Sequence, residues 1–260
     1  MPSNFSGNPS VAFVTILRRE IVRFTRIWLQ TTVPAVISTS LYFIIFGAFI
    51  GRRIGLMDGH SYIEYITPGI ILMAIMNNSY ANVSSSFFSS KFQRNIEEML
   101  IAPIPEFVML AGYVCGGIVR GLLVGFIVML VSVAFTGSYP ENWLLVLFVA
   151  ALTAALFSIL GFINGIFADS FDDISIVPTF ILSPLIYLGG VFYSISMLPH
   201  TWSFISQFNP ILYMVSAFRY GYIGTSDTDP VQAIIMLFVL SVLLSGLSLI
   251  FLSKGTGLRK

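Results

Sequence analysis

Six long apolar runs, separated by short polar or charged segments, dominate the chain: Leu29–Ile50, Ile63–Phe88, Phe107–Phe135, Trp143–Phe167, Ile174–Phe192 and Val231–Leu252. Crossing a bilayer takes about 20 apolar residues in a helix, so the pattern predicts an all-α membrane protein with six transmembrane helices. Pro34, Pro68, Pro178 and Pro184 lie inside or near the starts of these runs. Neighbouring helices can satisfy the carbonyls that prolines free, so they predict kinks rather than breaks.

Three segments depart from that pattern. Val11 to Trp28 is mixed, with Arg19, Arg23 and Arg26 at helical spacing and Phe13, Leu17, Ile21 and Phe24 on another side. It reads as an amphipathic helix on the cytoplasmic face, and its arginines also serve as topology signals. Lys91 to Glu106 is a charged island between two apolar runs. As a helix it carries a stripe of Phe92, Ile96, Met99 and Leu100, with Lys91, Gln93, Arg94, Asn95, Glu97 and Glu98 covering the rest. Arg94 can reach Glu98 four residues on, a pairing worth only a few tenths of a kcal/mol, and Pro103 and Pro105 stop the helix. Such a helix is either an ordinary solvated connection or a docking knob for a soluble partner, and composition alone favours the first. Tyr193 to Asp229 is too polar for a full span and too apolar for a free loop. Its tryptophan and tyrosines suit a membrane interface, so it reads as two short helices, broken near Asn209-Pro210, dipping into the outer leaflet.

Composition makes lipid the solvent. Of 260 residues, 56% are hydrophobic and only 10% charged, with a mean hydropathy of +0.89; soluble domains carry about 25% charged residues. A net charge of +1 with no basic block outside the termini argues against a nucleic-acid partner. The single cysteine, Cys115, leaves no disulfide framework within one chain. Residues 1–10 lack a basic segment leading into a short apolar one, so the first span is expected to act as the insertion signal. With a cytoplasmic N-terminus, the inside segments hold Arg18, Arg19, Arg23, Arg26, Lys91, Arg94, Lys254, Arg259 and Lys260, and the outside segments Arg52, Arg53 and Arg219. Nine against three is a positive-inside bias that puts both termini in the cytoplasm. The expected organisation is a cytoplasmic tail and interfacial helix over 1–28, a transmembrane domain over 29–252 and a cytoplasmic tail over 253–260.

There is no phosphate-binding G-x-x-x-x-G-K-[ST] loop, no H-E-x-x-H and no G-x-S-x-G. His60 and His200 fall in outside connections without a cysteine cluster, so neither ATP hydrolysis nor a metal site is expected in this chain. Arg120 sits near the middle of an apolar run. A charge there is costly and faces the protein interior; it either contacts an anionic substrate group or, the favoured reading, bonds to polar groups of a neighbouring helix. The Ser/Asn-rich stretch Asn77 to Ser90, with Asn77, Asn78 and Asn82, serves close helix packing or the wet lining of a path. Gly112, Gly116, Gly117, Gly121 and Gly125 make a small-residue face for helix packing.

Leu182-x-x-Leu185-x-x-Leu188-Gly189-x-Val191, then Leu198-Pro199, then Pro210-Ile211-Leu212-Tyr213 and Arg219 match the signature of a known family along its length. The chain resembles the permease subunits of bacterial ABC-2 type exporters, and the tracts SSFFSSKFQRNIEEMLIAPIP and FADSFDDISIVPTF are similar to those of small Gram-negative inner-membrane permeases. The resemblance implies the ABC-2 (type V exporter) fold, a homodimer, and two copies of a separate ATP-binding subunit that holds ATP and Mg. It also implies that residues 91–101 form the coupling helix, presenting Lys91, Phe92, Arg94, Glu97, Glu98 and Met99 to that subunit, and that short outer helices span 196–223. The implied function is export across the bacterial inner membrane of an amphiphilic, lipid-linked or saccharide molecule or a drug. An ion-driven secondary transporter is the alternative class; such carriers often place carboxylates deep in spans and show internal repeats, and neither is visible here.

Overall fold

The most polar of the long helices stands at the centre. A computed structural model describes residues 8–102 and 104–257. Pro103, expected to stop a helix, lies outside the described residues, as do Arg259 and Lys260 and the side chains of Arg52 and Leu100. The described elements run α1 (Pro9–Arg26), α2 (Trp28–Tyr42) continuing as a π-helix to Gly51, α3 (Arg52–Ile54), β1 (Leu56–Met57), β2 (His60–Ser61), α4 (Tyr62–Phe92) and α5 (Asn95–Ile101). They continue with α6 (Glu106–Thr136), α7 (Trp143–Phe167), α8 (Phe171–Val177), a π-helix Pro178–Leu182, α9 (Ser183–Tyr187), a 3-10 turn Ile195–Met197, α10 (His200–Ser206), α11 (Pro210–Ile223) and α12 (Pro230–Lys254).

Local chemistry sets several of these boundaries. Asn8, Ser61, Ser170, Asn209 and Asp229 cap helix N-termini with their side-chain oxygens. Ser61 with Glu64, and Ser170 with Asp173, close reciprocal capping boxes. β1 and β2 pair antiparallel across Asp58-Gly59, both at positive φ, as a two-residue hairpin demands; this small ladder is the one strand pair among the described residues.

Among the described residues, four helical stretches are long and apolar enough to cross a membrane: Trp28–Gly51, Glu106–Thr136, Trp143–Phe167 and Pro230–Lys254. α4 matches α6 in length at 31 residues, yet it carries Ser79, Asn82, Ser84, Ser86 and Ser90, all buried. It tolerates them because α6, α7 and α11 pack around it and α1 reaches it through Glu20 and Arg23, so its polar face meets protein rather than lipid. The expected run Ile174–Phe192 differs in detail: helix begins at Phe171, changes to π geometry at Pro178 and ends at Tyr187. Pro184 has no N–H to donate, and the preceding N–H of Ser183 reaches back five residues to the Pro178 carbonyl. Gly190, at φ +72°, then turns the chain.

Small residues let the backbones close up. On α6, Gly112 and Gly116 receive Ile16 and Glu20 of α1, Gly117 receives Ser158 of α7 and Val83 of α4, and Gly121 and Gly125 receive Ser79 and Ile75 of α4. The glycine face is thus divided among three partners. On α7, Gly161 sits under the Tyr80 backbone carbonyl, where an added Cβ would lie 2.5 Å from that oxygen. Gly161→Ala is expected to cost about 1–3 kcal/mol by overpacking, since backbone cannot move aside. Gly246→Ala, with nothing within 4 Å of the added carbon, is expected to be neutral or slightly stabilising. Thermal unfolding of the two purified variants in detergent checks the contrast.

Candidate functional site

The charged island folds differently from a single helix over 91–101. α4 runs through Lys91 and Phe92, the chain breaks at Gln93-Arg94 with Arg94 left-handed at φ +60°, and α5 occupies only Asn95–Ile101. The break lets Ile96 turn back and bury itself with Phe87, Met109 and Tyr113. Lys91 does not join the outward face: its ammonium donates to the carbonyls of Ile166 (2.7 Å) and Ala168 (2.8 Å) at the end of α7 and approaches Asp169. Cations belong at such a helix C-terminus. Phe92 is exposed beside Phe88 and Phe171, and Met99 is half-buried against Arg19. Arg94, Glu97, Glu98 and Ile101 face outward, and no Arg94–Glu98 ion pair forms.

Behind α5 lies a joint that the sequence pattern did not reveal. Glu20 of α1 is fully buried. Ser86 Oγ donates to its Oε1 at 2.5 Å, Arg23 donates to its Oε2 at 3.1 Å, and Asn82 Nδ2 donates to Oε2 at 3.4 Å. Arg23 also donates to the Asn82 carbonyl and side-chain oxygens, both at 2.8 Å, and Arg120 Nη1 reaches Asn82 Oδ1 at 3.4 Å. Arg19 donates to the Tyr113 hydroxyl, which donates to Ser90 Oγ at 3.1 Å. Arg19 and Arg23 therefore turn toward the bundle, while Val11, Val14 and Val22 stay exposed and Phe13, Leu17 and Ile21 are half-buried. The reason is charge: a carboxylate at this depth needs cations and donors around it. Arg120 thus reaches across from α6 to a side chain of α4.

The Asn/Ser stretch splits in two. Asn82 belongs to this joint, whereas exposed Asn77 and half-buried Asn78 line a cavity of about 330 Å³ with Gln30, Thr31, Ser38 and Ser183.

The signature residues gather near the opposite end of α4. Leu182 is buried, Leu185 and Leu188 are half-buried, and Gly189 is so close to Ile211 of α11 that an added Cβ would lie 2.6 Å from it. Val191 seats its backbone against Gly69 of α4. Asn209 Nδ2 donates to the Leu185 carbonyl at 2.6 Å, Pro210 opens α11, and the Tyr213 hydroxyl donates to the Gln207 carbonyl at 2.9 Å. Leu198 is half-buried and the exposed Pro199 starts α10. Arg219 closes the set and is fully buried: Nη1 pairs with Asp227 at 2.7 Å, Nη2 donates to the Gly190 carbonyl, and the guanidinium lies 4.0 Å from the Tyr65 ring centroid. Tyr65 and Ser194 hydroxyls donate to the two oxygens of Asp227, at 3.2 and 2.6 Å. Asp227 was not singled out from sequence; the available signal was a carboxylate in the short loop following the helix that bears Arg219.

The sequence model of the family described as ABC-2 type transporter matches residues 11–223. The inner membrane transport permease YadH of Escherichia coli (strain K12) is 53% identical over 96% of this chain and 97% of its own length. Nodulation protein J of Rhizobium meliloti (strain 1021) is 23% identical over 82% of each chain. Nodulation protein J of Sinorhizobium fredii (strain NBRC 101917 / NGR234) is 25% identical over 70% of this chain and 69% of its own.

Removing one partner of a buried pair strands the other charge, at a cost of about 3–5 kcal/mol. Asp227→Asn is expected to lose an amount in that range. Arg219→Lys is expected not to escape the loss, because one ammonium cannot stack on Tyr65 and serve both Asp227 and Gly190. Glu20→Ala should fall at the low end of the range, since Arg23 retains water access. Unfolding temperatures in detergent, against exposed Arg26→Ala as control, check all three.

Proposed function

Because the chain belongs to the ABC-2 type transporter family and is a membrane transport permease, we propose that it forms one half of a homodimeric exporter driven by two copies of a separate ATP-binding subunit. ATP and Mg then reside in that partner, and this chain supplies the path. In this reading α2, α4, α6, α7, the broken segment Phe171–Tyr187 and α12 make six crossings of the bacterial inner membrane. The lysine and arginine bias sets both termini in the cytoplasm. The polar cavity at Gln30, Thr31, Asn78 and Ser183 is a stretch of path wall, suited to an amphiphilic, lipid-linked or saccharide cargo or a drug.

The observation that carries the reading is the two-sided character of α5. Outward, Arg94, Glu97 and Glu98 offer a charged surface to a soluble partner. Inward, Ile96 is buried and Met99 touches Arg19. A push on α5 therefore reaches α4 directly and α1 and α6 through the Glu20 and Tyr113 contacts. The coupling surface in this proposal comprises Phe92, Arg94, Glu97, Glu98 and Ile101, without Lys91.

Glu97→Lys or Glu98→Lys is expected to lower recovery of the ATP-binding subunit in pull-downs by about tenfold, equivalent to roughly 1.4 kcal/mol, with the permease still folded. Recovery at wild-type yield from both variants would count against the assignment.

A further inference from the structure

Between α7, the π-helical segment, α11 and α12 lies a crevice of about 480 Å³ that the transport reading leaves unused. Leu156, Leu160, Ile181, Leu185, Ile211 and Leu244 form much of its wall. Among the described residues its one polar lining residue is Asn164, whose amide already donates to the Ile174 carbonyl at 3.0 Å. Water in such a space finds no partners. Phe167 and Ile181, both about half exposed, carry the wall out onto the apolar exterior beside exposed Phe180, so the crevice is continuous with the surface that lipid covers.

Two further features define the occupant. Along α7 the lining descends from Leu156 to Phe167, a rise of about 16 Å at about 1.5 Å per residue. That is the depth of one leaflet, half of a hydrocarbon core of about 30 Å. At the lower end the Phe167 ring meets Phe251 of α12 at 5.0 Å, edge to face. Lys254 follows one turn later, exposed, with no carboxylate in ion-pair range among the described residues. A slot one leaflet deep, with a cation on the turn after the Phe167–Phe251 contact, matches a phospholipid tail and phosphate.

We propose that this crevice binds one acyl chain of an anionic phospholipid, whose phosphate pairs with Lys254. The assignment of the leaflet as cytoplasmic rests on the orientation given under Proposed function; the binding does not require the ATP-binding partner.

Native mass spectrometry of the delipidated, purified full chain tests it, with phosphatidylglycerol, phosphatidylethanolamine and uncharged diacylglycerol as probes. One phosphatidylglycerol per chain is expected, retained at least about tenfold better than diacylglycerol. Leu160→Trp and the milder Leu244→Phe, which fill the slot, should each reduce occupancy severalfold, while Leu144→Trp on the exposed face of α7 should not. Lys254→Gln should abolish the preference for phosphatidylglycerol and leave diacylglycerol binding unchanged. The proposal is overturned if no stoichiometric lipid is retained, or if both filling variants bind as wild type. It is equally overturned if filling alters only the monomer–dimer ratio, which would make a second copy the occupant, or if Lys254→Gln keeps the full headgroup preference. Lipid retention here, together with wild-type recovery of the ATP-binding subunit by both Glu97→Lys and Glu98→Lys, would leave this inference standing while the exporter reading failed.

Discussion

Two charges held away from water, one near each end of α4, keep the surrounding helices in register. Glu20 joins α1 to α4 through Ser86 and Asn82, over a notch made by Gly116 of α6. Arg219 joins α11 to the turn at Gly190 and, through Asp227 and Tyr65, to the start of α4 and the loop before α12. Neither charge is tolerable alone in a low-dielectric interior. Each therefore dictates where several other side chains must be, and a polar α4 is possible because its neighbours supply those partners.

The same constraint separates what moves together from what is loosely held. α5, α1, the C-terminal half of α4 and the N-terminal half of α6 share side chains: Ile96 packs with Phe87, Met109 and Tyr113, and Arg19 bridges Met99 and Tyr113. They form a continuous solid between the exposed acidic face of α5 and the bundle. The segment from Phe171 to Tyr187 is different. Two prolines and a π-register interrupt its ladder, and on one side it leaves an apolar crevice in place of a packed contact. A transport cycle that changes the spacing of the spans would meet least resistance there.

Six apolar runs, the amphipathic start, the short acidic island and the aromatic segment before the last run were all legible in the chain, because solvent preference and helical period are properties of neighbouring residues. The division of the Asn/Ser stretch between joint and cavity was not. Asn78 and Asn82 are four residues apart on one helix, and which of them meets Arg120 depends on how α6 lies against α4. Lys91 looked like part of the charged island because it adjoins it; only the position of the α7 C-terminus shows that its ammonium is taken inward.

What the sequence by itself determined is the environment of the chain, its repeated helical spans and, through the run from Leu182 to Arg219, its family. What only the tertiary structure decided is the pairing of its charges: that Glu20 is buried, that Arg219 finds Asp227, and that Lys91 is taken by the end of α7. The physical reason is range. Hydrophobic patterning acts through local periodicity, whereas the energy of a buried charge is set by atoms brought near it from distant parts of the chain.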